Sequence, residues 1–368
     1  MINKKVLVLF ILSTLLNNCS FDNKTGIWSD TAKEKERITE LQKEQKEIIK
    51  VEKIYSSDKT FQKEVFLKKN IILSKAQNKP SWTMTNENHQ NYLGNIYLEG
   101  VNNVFLKKKI GKDKFFGSKK ITSLLVYKNN IIFSDDKGTI FHVNERGGII
   151  WKKNIYKKAY KKIYKNLVFS IYKDNIFVAD NIGFIYSIDL YDGKMLWIRN
   201  YEVGMKSNIK VFEDKIFLIN EDNKILCLNK KDGSLIWNIH SIKSFIKSDN
   251  LLSLAFTQDG NLLAITSSAD FYKINASTGD ILWARNTADS LYADASDFFI
   301  SSNVVIDDDK VIFSSGNNTF LLKTENGETL WKKEVSSVGA PIISGKNIFI
   351  VTGNGYLVIL DKDTGEII

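Results

Sequence analysis

Cysteine and proline are nearly missing from this 368-residue chain, at two residues each, and histidine occurs three times. If Cys19 is modified, Cys227 has no partner for an intramolecular disulfide. His89, His142 and His240 stand in no metal-ligand spacing, so zinc and histidine-based catalysis have no support in the sequence. Long apolar runs are lacking too: residues 6–16 supply eleven positions, short of the roughly 20 that a bilayer-spanning helix needs. Two prolines among abundant Lys, Asn and Ile reflect a composition bias of the genome more than a structural choice.

What is present is a repeat. A glycine stands four residues ahead of a tryptophan five times, in Gly147 and Trp151, Gly193 and Trp197, Gly233 and Trp237, Gly279 and Trp283, and Gly327 and Trp331. The tryptophans are 46, 40, 46 and 48 residues apart, the period of one supersecondary unit rather than of a heptad or a single hairpin. Within the fifth unit, β-branched and aromatic runs at 303–306, 310–314 and 319–324 alternate with Asp/Asn/Gly turns before the Trp strand. Gly183, Asn223 and Asn317 mark a turn 14 positions before the Trp, whereas Ala269 breaks that rule; Asp189, Asn229 and Asn275 stand eight before it. A last unit has Gly355, Asp361 and Gly365 at the same spacing, and Phe105, 46 residues before Trp151, is in position to take the Trp place of a preceding one.

Four antiparallel strands have two apolar faces that one sheet cannot bury, and a ring of such sheets stacks them while leaving short edges. The fold class expected is therefore all-β, a β-propeller of four-stranded antiparallel blades. Each glycine supplies the positive φ of a tight turn, and each Trp an apolar plate with one polar handle for the gap between blades.

The segment Asp189-Leu190-Tyr191-Asp192-Gly193-Lys194-Met195-Leu196-Trp197 resembles the PQQ-type, quinoprotein-like propeller repeat. That repeat occurs in quinoprotein dehydrogenases and in the non-catalytic BamB-type lipoproteins of outer-membrane protein assembly. The resemblance covers about residues 80–368. Six repeats are visible where the family usually has eight, which leads to the expectation of a propeller incomplete at its C-terminal side.

Ahead of the repeats, Lys4 and Lys5, the apolar run 6–16 and Leu16-Asn17-Asn18-Cys19 read as a signal peptide of residues 1–18 with a lipobox, and Cys19 as the lipid-attachment residue. Asn18 stands where a small residue is usual, and Ser20 is not the Asp that favours inner-membrane retention, so outer-membrane sorting is expected. Residues 19–79 form a polar tether, Lys/Glu-rich and partly helical over 31–53, and the ordered propeller is expected from residue 80 to 368.

The formal charge of +10 falls to about +8 when Lys4 and Lys5 leave with the signal. Lys152, Lys153, Lys157, Lys158, Lys161, Lys162 and Lys165, interleaved with Tyr156, Tyr160 and Tyr164, read as a solvated inter-blade loop; the export signal argues against nucleic acid as a partner. Asp307-Asp308-Asp309 falls in a hairpin turn, and Cys227 in a strand where it packs as a small apolar residue.

No stretch matches a quinoprotein catalytic motif, and no adjacent-cysteine pair exists, so no catalytic, metal or cofactor residue is assigned and a non-enzymatic protein is expected. The resemblance implies a lipid-anchored scaffold on the periplasmic side of the outer membrane. Its partners would be the barrel-insertion subunit and nascent outer-membrane proteins, and it would be a monomer within a hetero-complex. Met205 and Lys206, in the loop after Trp197, are the expected contact residues. A quinoprotein dehydrogenase-like enzyme and a propeller scaffold of another envelope complex are the alternatives.

Overall fold

The structure, a computed structural model, describes residues 20–21, 28–29, 67, 69–100, 104–112, 124–160, 162–241, 251–288, 301–337 and 339–368. The chain divides into two compact units, Met1–Phe66 and Leu67–Ile368. In the first, Ser20–Phe21 pairs antiparallel with Trp28–Ser29. Cys19, the signal region and the charged stretch 31–53 lie outside the described residues.

The second unit is a β-propeller, and its third blade shows why the sequence folds this way. Lys210–Phe212, Lys215–Ile219, Lys224–Asn229 and Leu235–His240 pair in chain order, each antiparallel to the next. Side chains alternate across a strand. Ile216, Leu218, Leu226 and Leu228 accordingly pack toward blade II, while Phe217, Ile219, Ile225 and Cys227 pack toward blade IV. Both faces of the middle strands are apolar because both are covered by a neighbouring sheet.

Blades I (125–154), II (167–200), IV (254–286) and V (305–333) have the same four-stranded order. Blade VI has Ile342–Ser344, Asn347–Val351 and Leu357–Asp361, with Ile367 bridging back onto Leu360 in the place of a fourth strand. The fifth unit's strands, Val305–Asp307, Lys310–Ser315, Asn318–Lys323 and Thr329–Lys333, fall within a residue or two of those expected from turn chemistry.

Fourth strands lie on the outside. In blades I to V the ladder slips one residue just before the Trp, at Ile150, Leu196, Ile236, Leu282 and Leu330, and these bulged residues are exposed. A bulge on an edge strand twists it away from flat pairing with another sheet, which protects a rim that would otherwise template aggregation. Turns between first and second and between third and fourth strands gather at one end of the propeller. Turns between second and third strands lie at the other end, where each blade's fourth strand also ends and the next blade's first strand begins.

Two sequence readings are corrected. Ala269 keeps the turn conformation of Gly183 and Asn223, with φ of +62° against +110° and +60°, so the rule it seemed to break is obeyed by the backbone. Phe105 does not occupy a Trp place. It is 78% exposed. A Cβ on Gly147 would instead meet Leu106 Cδ1 at 3.3 Å and Lys108 Cδ at 2.9 Å, and the Lys108 amine donates to the Gly147 carbonyl at 2.8 Å.

Candidate partner-binding site

The joints between blades are built from the Gly and Trp residues of the repeat. Each indole N–H donates to the carbonyl three residues ahead of the next blade's glycine: Trp151 to Leu190 at 2.9 Å, Trp197 to Lys230 at 3.1 Å, Trp237 to Ala276 at 3.1 Å, Trp283 to Thr324 at 3.2 Å and Trp331 to Lys362 at 2.9 Å. The ring lies flat over that glycine. A Cβ added to Gly193, Gly233, Gly279, Gly327 or Gly365 would come within 2.5 to 3.0 Å of the ring. All five glycines also have φ between +69° and +84°. These residues therefore set the spacing between blades, and the loops they carry are held on a rigid frame.

Residues 72–97 thread past the first strand of every blade, and this is the feature that sequence reasoning missed. Ser74 N–H donates to Ser344 Oγ in blade VI at 2.9 Å, and the Asn347 amide reaches the Ile72 carbonyl at 3.1 Å. Trp82 exchanges two backbone bonds with Val126 of blade I, at 2.7 and 2.9 Å, and Ile171 N–H of blade II donates to Thr83 at 2.7 Å. Phe256 N–H of blade IV donates to the His89 carbonyl and Ile306 N–H of blade V to the Gln90 carbonyl, each at 2.9 Å. Residues 69–74, assigned by sequence to the tether, thus pack on blade VI, where Ser74 and Ile72 find partners on its first hairpin and Lys69 reaches Asp361 at 3.5 Å.

Lys210 of blade III anchors this axial segment. Its fully buried amine donates to the Asn88 carbonyl and to Asn91 Oδ1, both at 2.6 Å. Burial pulls the amine down to about 7, against a weaker opposing pull from Glu87. Asn91, 2% exposed, also donates to the Leu254 carbonyl at 2.9 Å and the Val304 carbonyl at 2.7 Å, so one side chain ties blades III, IV and V together. His89 donates from Nε2 to the Val211 carbonyl at 2.7 Å, edge-on to Phe212 and Phe256. Desolvation lowers its basicity, opposed by that hydrogen bond and helped by Lys210. The signal in the sequence was the Asn-rich stretch itself: Asn86 and Asn91 adopt φ of +59° and +56°, which asparagine tolerates better than most residues.

Met205 is not at the surface. It is 5% exposed, packed among Val168, Phe177, Ala179 and Ile185 between blades II and III, with its N–H on the Asp180 carbonyl at 2.8 Å. The connection is short and Gly204 sits so close to the Asn181 backbone that a Cβ would lie 2.5 Å from its carbonyl oxygen, which drives the next side chain into the gap. Lys206 is half-buried beside it, its N–H on the Ile219 carbonyl at 2.8 Å. Exposure at this end falls instead on Glu202.

The lysine run is only partly solvated. Lys152, Lys157, Lys158 and Lys162 are exposed, and Lys161 lies outside the described residues. Lys165 is buried, with its amine on the Tyr160 carbonyl and 5.0 Å from the Tyr156 ring centre. Cys227 is buried and desolvation pushes its thiol up to about 12. His142 is buried edge-on to Trp151, and His240 ends the outer strand of blade III. In the acidic triplet, Asp307 pairs with Lys362 of blade VI at 2.8 Å and Asp308 and Asp309 form the exposed turn. Among the described residues no three His, Cys, Asp or Glu side chains converge as a metal site, and no helix is long and apolar enough to cross a membrane.

Stacked four-stranded sheets, joined by Gly and Trp around an axis filled by the chain's own segment, define a β-propeller of the PQQ-type repeat. Residues 136–368 match the model of the family described as outer membrane protein assembly factor BamB, and the chain belongs to that family. The assembly factor BamB of Yersinia pestis is 23% identical over 197 residues, covering 52% of this chain and 49% of the relative. That of Shewanella oneidensis is 25% identical over 229 residues, covering 52% and 53%. The chain thus spans about half the length of these curated relatives. The crystal structure of BamB from Moraxella catarrhalis superposes with a TM-score of 0.58 at 14% identity, over 67% of this chain and 74% of that one, a likeness of fold.

Proposed function

We propose that this chain is a non-catalytic scaffold of outer-membrane β-barrel assembly, lipid-anchored through Cys19 on the periplasmic side of the outer membrane. It binds the barrel-insertion subunit and helps to deliver nascent outer-membrane proteins. The observation that carries this reading is the match of residues 136–368 to the assembly-factor family. The physics suits it, because Trp and Gly joints and a pinned axis keep loops from successive blades in fixed relation, which lowers the ordering cost of binding a large partner.

The contact is assigned to the end carrying the inter-blade connections, with the exposed Glu202 and the half-buried Lys206 of the link between blades II and III as its residues. Burial of Met205 takes it out of the contact and gives it a packing role. The test is a mild-detergent co-purification of the tagged full-length protein from its native envelope, with Cys19→Ala as control. Recovery of a barrel-insertion subunit, reduced by Cys19→Ala, is the expected result; enrichment of other envelope proteins without it would overturn the reading.

A further inference from the structure

From Arg146 to Lys173 the chain carries nine cationic residues and no Asp or Glu. Most of them sit on the fourth strand of blade I and on residues 155–166, the link that leads into blade II. Lys152, Lys157, Lys158 and Lys162 are exposed, and so is Ile163, at 44%.

The link is held to the propeller by its own side chains. After the turn of 3-10 helix at Lys158–Tyr160, Ile163 N–H donates to the Tyr160 carbonyl at 3.2 Å. The buried Lys165 amine donates to that same carbonyl, and the Tyr160 ring meets Phe184 of blade II edge to face at 5.4 Å. Buried Tyr156 donates its hydroxyl to Asp180 Oδ2 at 2.5 Å. At the far end, Asn166 N–H donates to Asn181 Oδ1 at 2.8 Å and the Asn181 amide returns to the Tyr164 carbonyl at 3.1 Å. Tyr156, Tyr160 and Lys165 are thus occupied in packing. Lys157, Lys158, Lys162 and Ile163 face outward on a fixed frame, so little freedom is lost when they meet a surface.

Charge is one-sided along the propeller. Exposed carboxylates stand at the opposite end, with Asp174, Glu213, Asp214, Asp308 and Asp309 in turns between first and second strands. A negatively charged surface therefore attracts the end with the 155–166 link and repels the other. Ile163 separates a bilayer from other anions: an aliphatic side chain between Lys162 and Tyr164 gains little from phosphate or an acidic polypeptide in water. At a bilayer it enters the headgroup boundary while the lysines reach to the phosphates.

We infer that the 155–166 link is a membrane-contact loop, with Lys157, Lys158 and Lys162 on the phosphates of anionic phospholipid and Ile163 at the headgroup boundary, so that this end of the propeller faces the bilayer. This rests on the proposed lipid anchoring, which keeps phospholipid within reach, and adds an orientation that an acyl chain on a tether does not set.

The test is vesicle flotation of residues 20–368, which keep the whole propeller unit and carry neither signal nor acyl chain, with vesicles of phosphatidylcholine alone or mixed with phosphatidylglycerol. Binding is expected only with phosphatidylglycerol. A lysine at an anionic surface strengthens binding roughly five-fold, so Lys157→Gln, Lys158→Gln and Lys162→Gln together should weaken it about 100-fold. Ile163→Ser, which leaves the charge unchanged, should weaken it about three-fold. All four positions are exposed, and circular dichroism checks that the variants fold. Equal binding of parent and triple variant, no binding to phosphatidylglycerol vesicles, or no effect of Ile163→Ser overturns the inference. So does polyglutamate binding the parent as tightly as the vesicles do, which would mark the patch as a site for an acidic protein. Co-purification of the barrel-insertion subunit is assigned to another link and should survive the triple variant. Its recovery without vesicle binding would sink the membrane loop alone, and vesicle binding without its recovery would sink the scaffold reading alone.

Discussion

Adding one methyl group at Gly233 tests the joint between blades II and III. A Cβ there would lie 2.5 Å from Trp197 Cζ3 and 2.8 Å from its Cε3, and the backbone is at φ +70°. The left-handed conformation costs an alanine roughly 1–2 kcal/mol, displacing the ring from a packed gap about 1–3 kcal/mol more, and the stiffer unfolded chain returns roughly 0.4–1 kcal/mol. Gly233→Ala should therefore destabilise the protein by about 2–4 kcal/mol. Gly355→Ala is the control, because φ is +82° but nothing lies within 4 Å of the added Cβ; it should cost only about 1 kcal/mol. Urea unfolding followed by circular dichroism gives both values. In a Trp197→Ala background the cost of Gly233→Ala should fall to that of Gly355→Ala, the coupling expected of groups in contact. Equal costs for the two glycine variants, or no coupling to Trp197, would refute the assignment of the ring as the blade spacer.

Three further outcomes follow from the axis and the core. The Lys210 amine sits near 7 in the folded chain and near its usual 10.5 when unfolded. Stability from this group is thus flat below about pH 7 and rises toward higher pH, by at most about 1.4 kcal/mol per pH unit. Lys210→Met should remove that limb, so that the stability difference between parent and variant changes between about pH 7 and 9; a constant difference would contradict the buried-charge account. Asn91→Ala leaves Lys210 and the Leu254 and Val304 carbonyls each short of a bond. It should cost about 2–4 kcal/mol and speed proteolytic cleavage within 72–97, and an unchanged cleavage rate would count against the pinned axis. Cys227 should ignore a thiol reagent at about pH 8 in the folded protein and react on unfolding, given its burial and raised thiol; fast native-state labelling would contradict its place between blades III and IV.

The parts of the fold legible in the sequence were those with a local cause. Turn chemistry placed the strands of the fifth unit, since Asp and Asn side chains bond back to their own turns; Asn326 Oδ1, for example, accepts from Glu328 N–H at 2.9 Å. Gly and Trp were visible because they recur. The axial segment was not, because its bonds join residues such as Asn91 and Val304 that are 213 apart and follow no period. Met205 was misread for a related reason: an inter-blade loop reads as exposed until Gly204 is seen to press it against Asn181. A pocket at the link between blades I and II was half visible, since Tyr156, Lys157 and Tyr160 stood out in the sequence while its other walls, Phe184 and Ile198, belong to the strands of blade II.

Site-specific photocrosslinking in the native envelope tests the central claim most directly, with the probe placed at Glu202 among the inter-blade connections or at Tyr191 in a turn at the opposite end of the same outer strand. The account predicts that a barrel-insertion subunit is captured from position 202 and not from position 191. Capture from 191 alone would reverse the assigned face, and capture of neither kind, with the protein folded and localised to the envelope, would contradict the scaffold function itself.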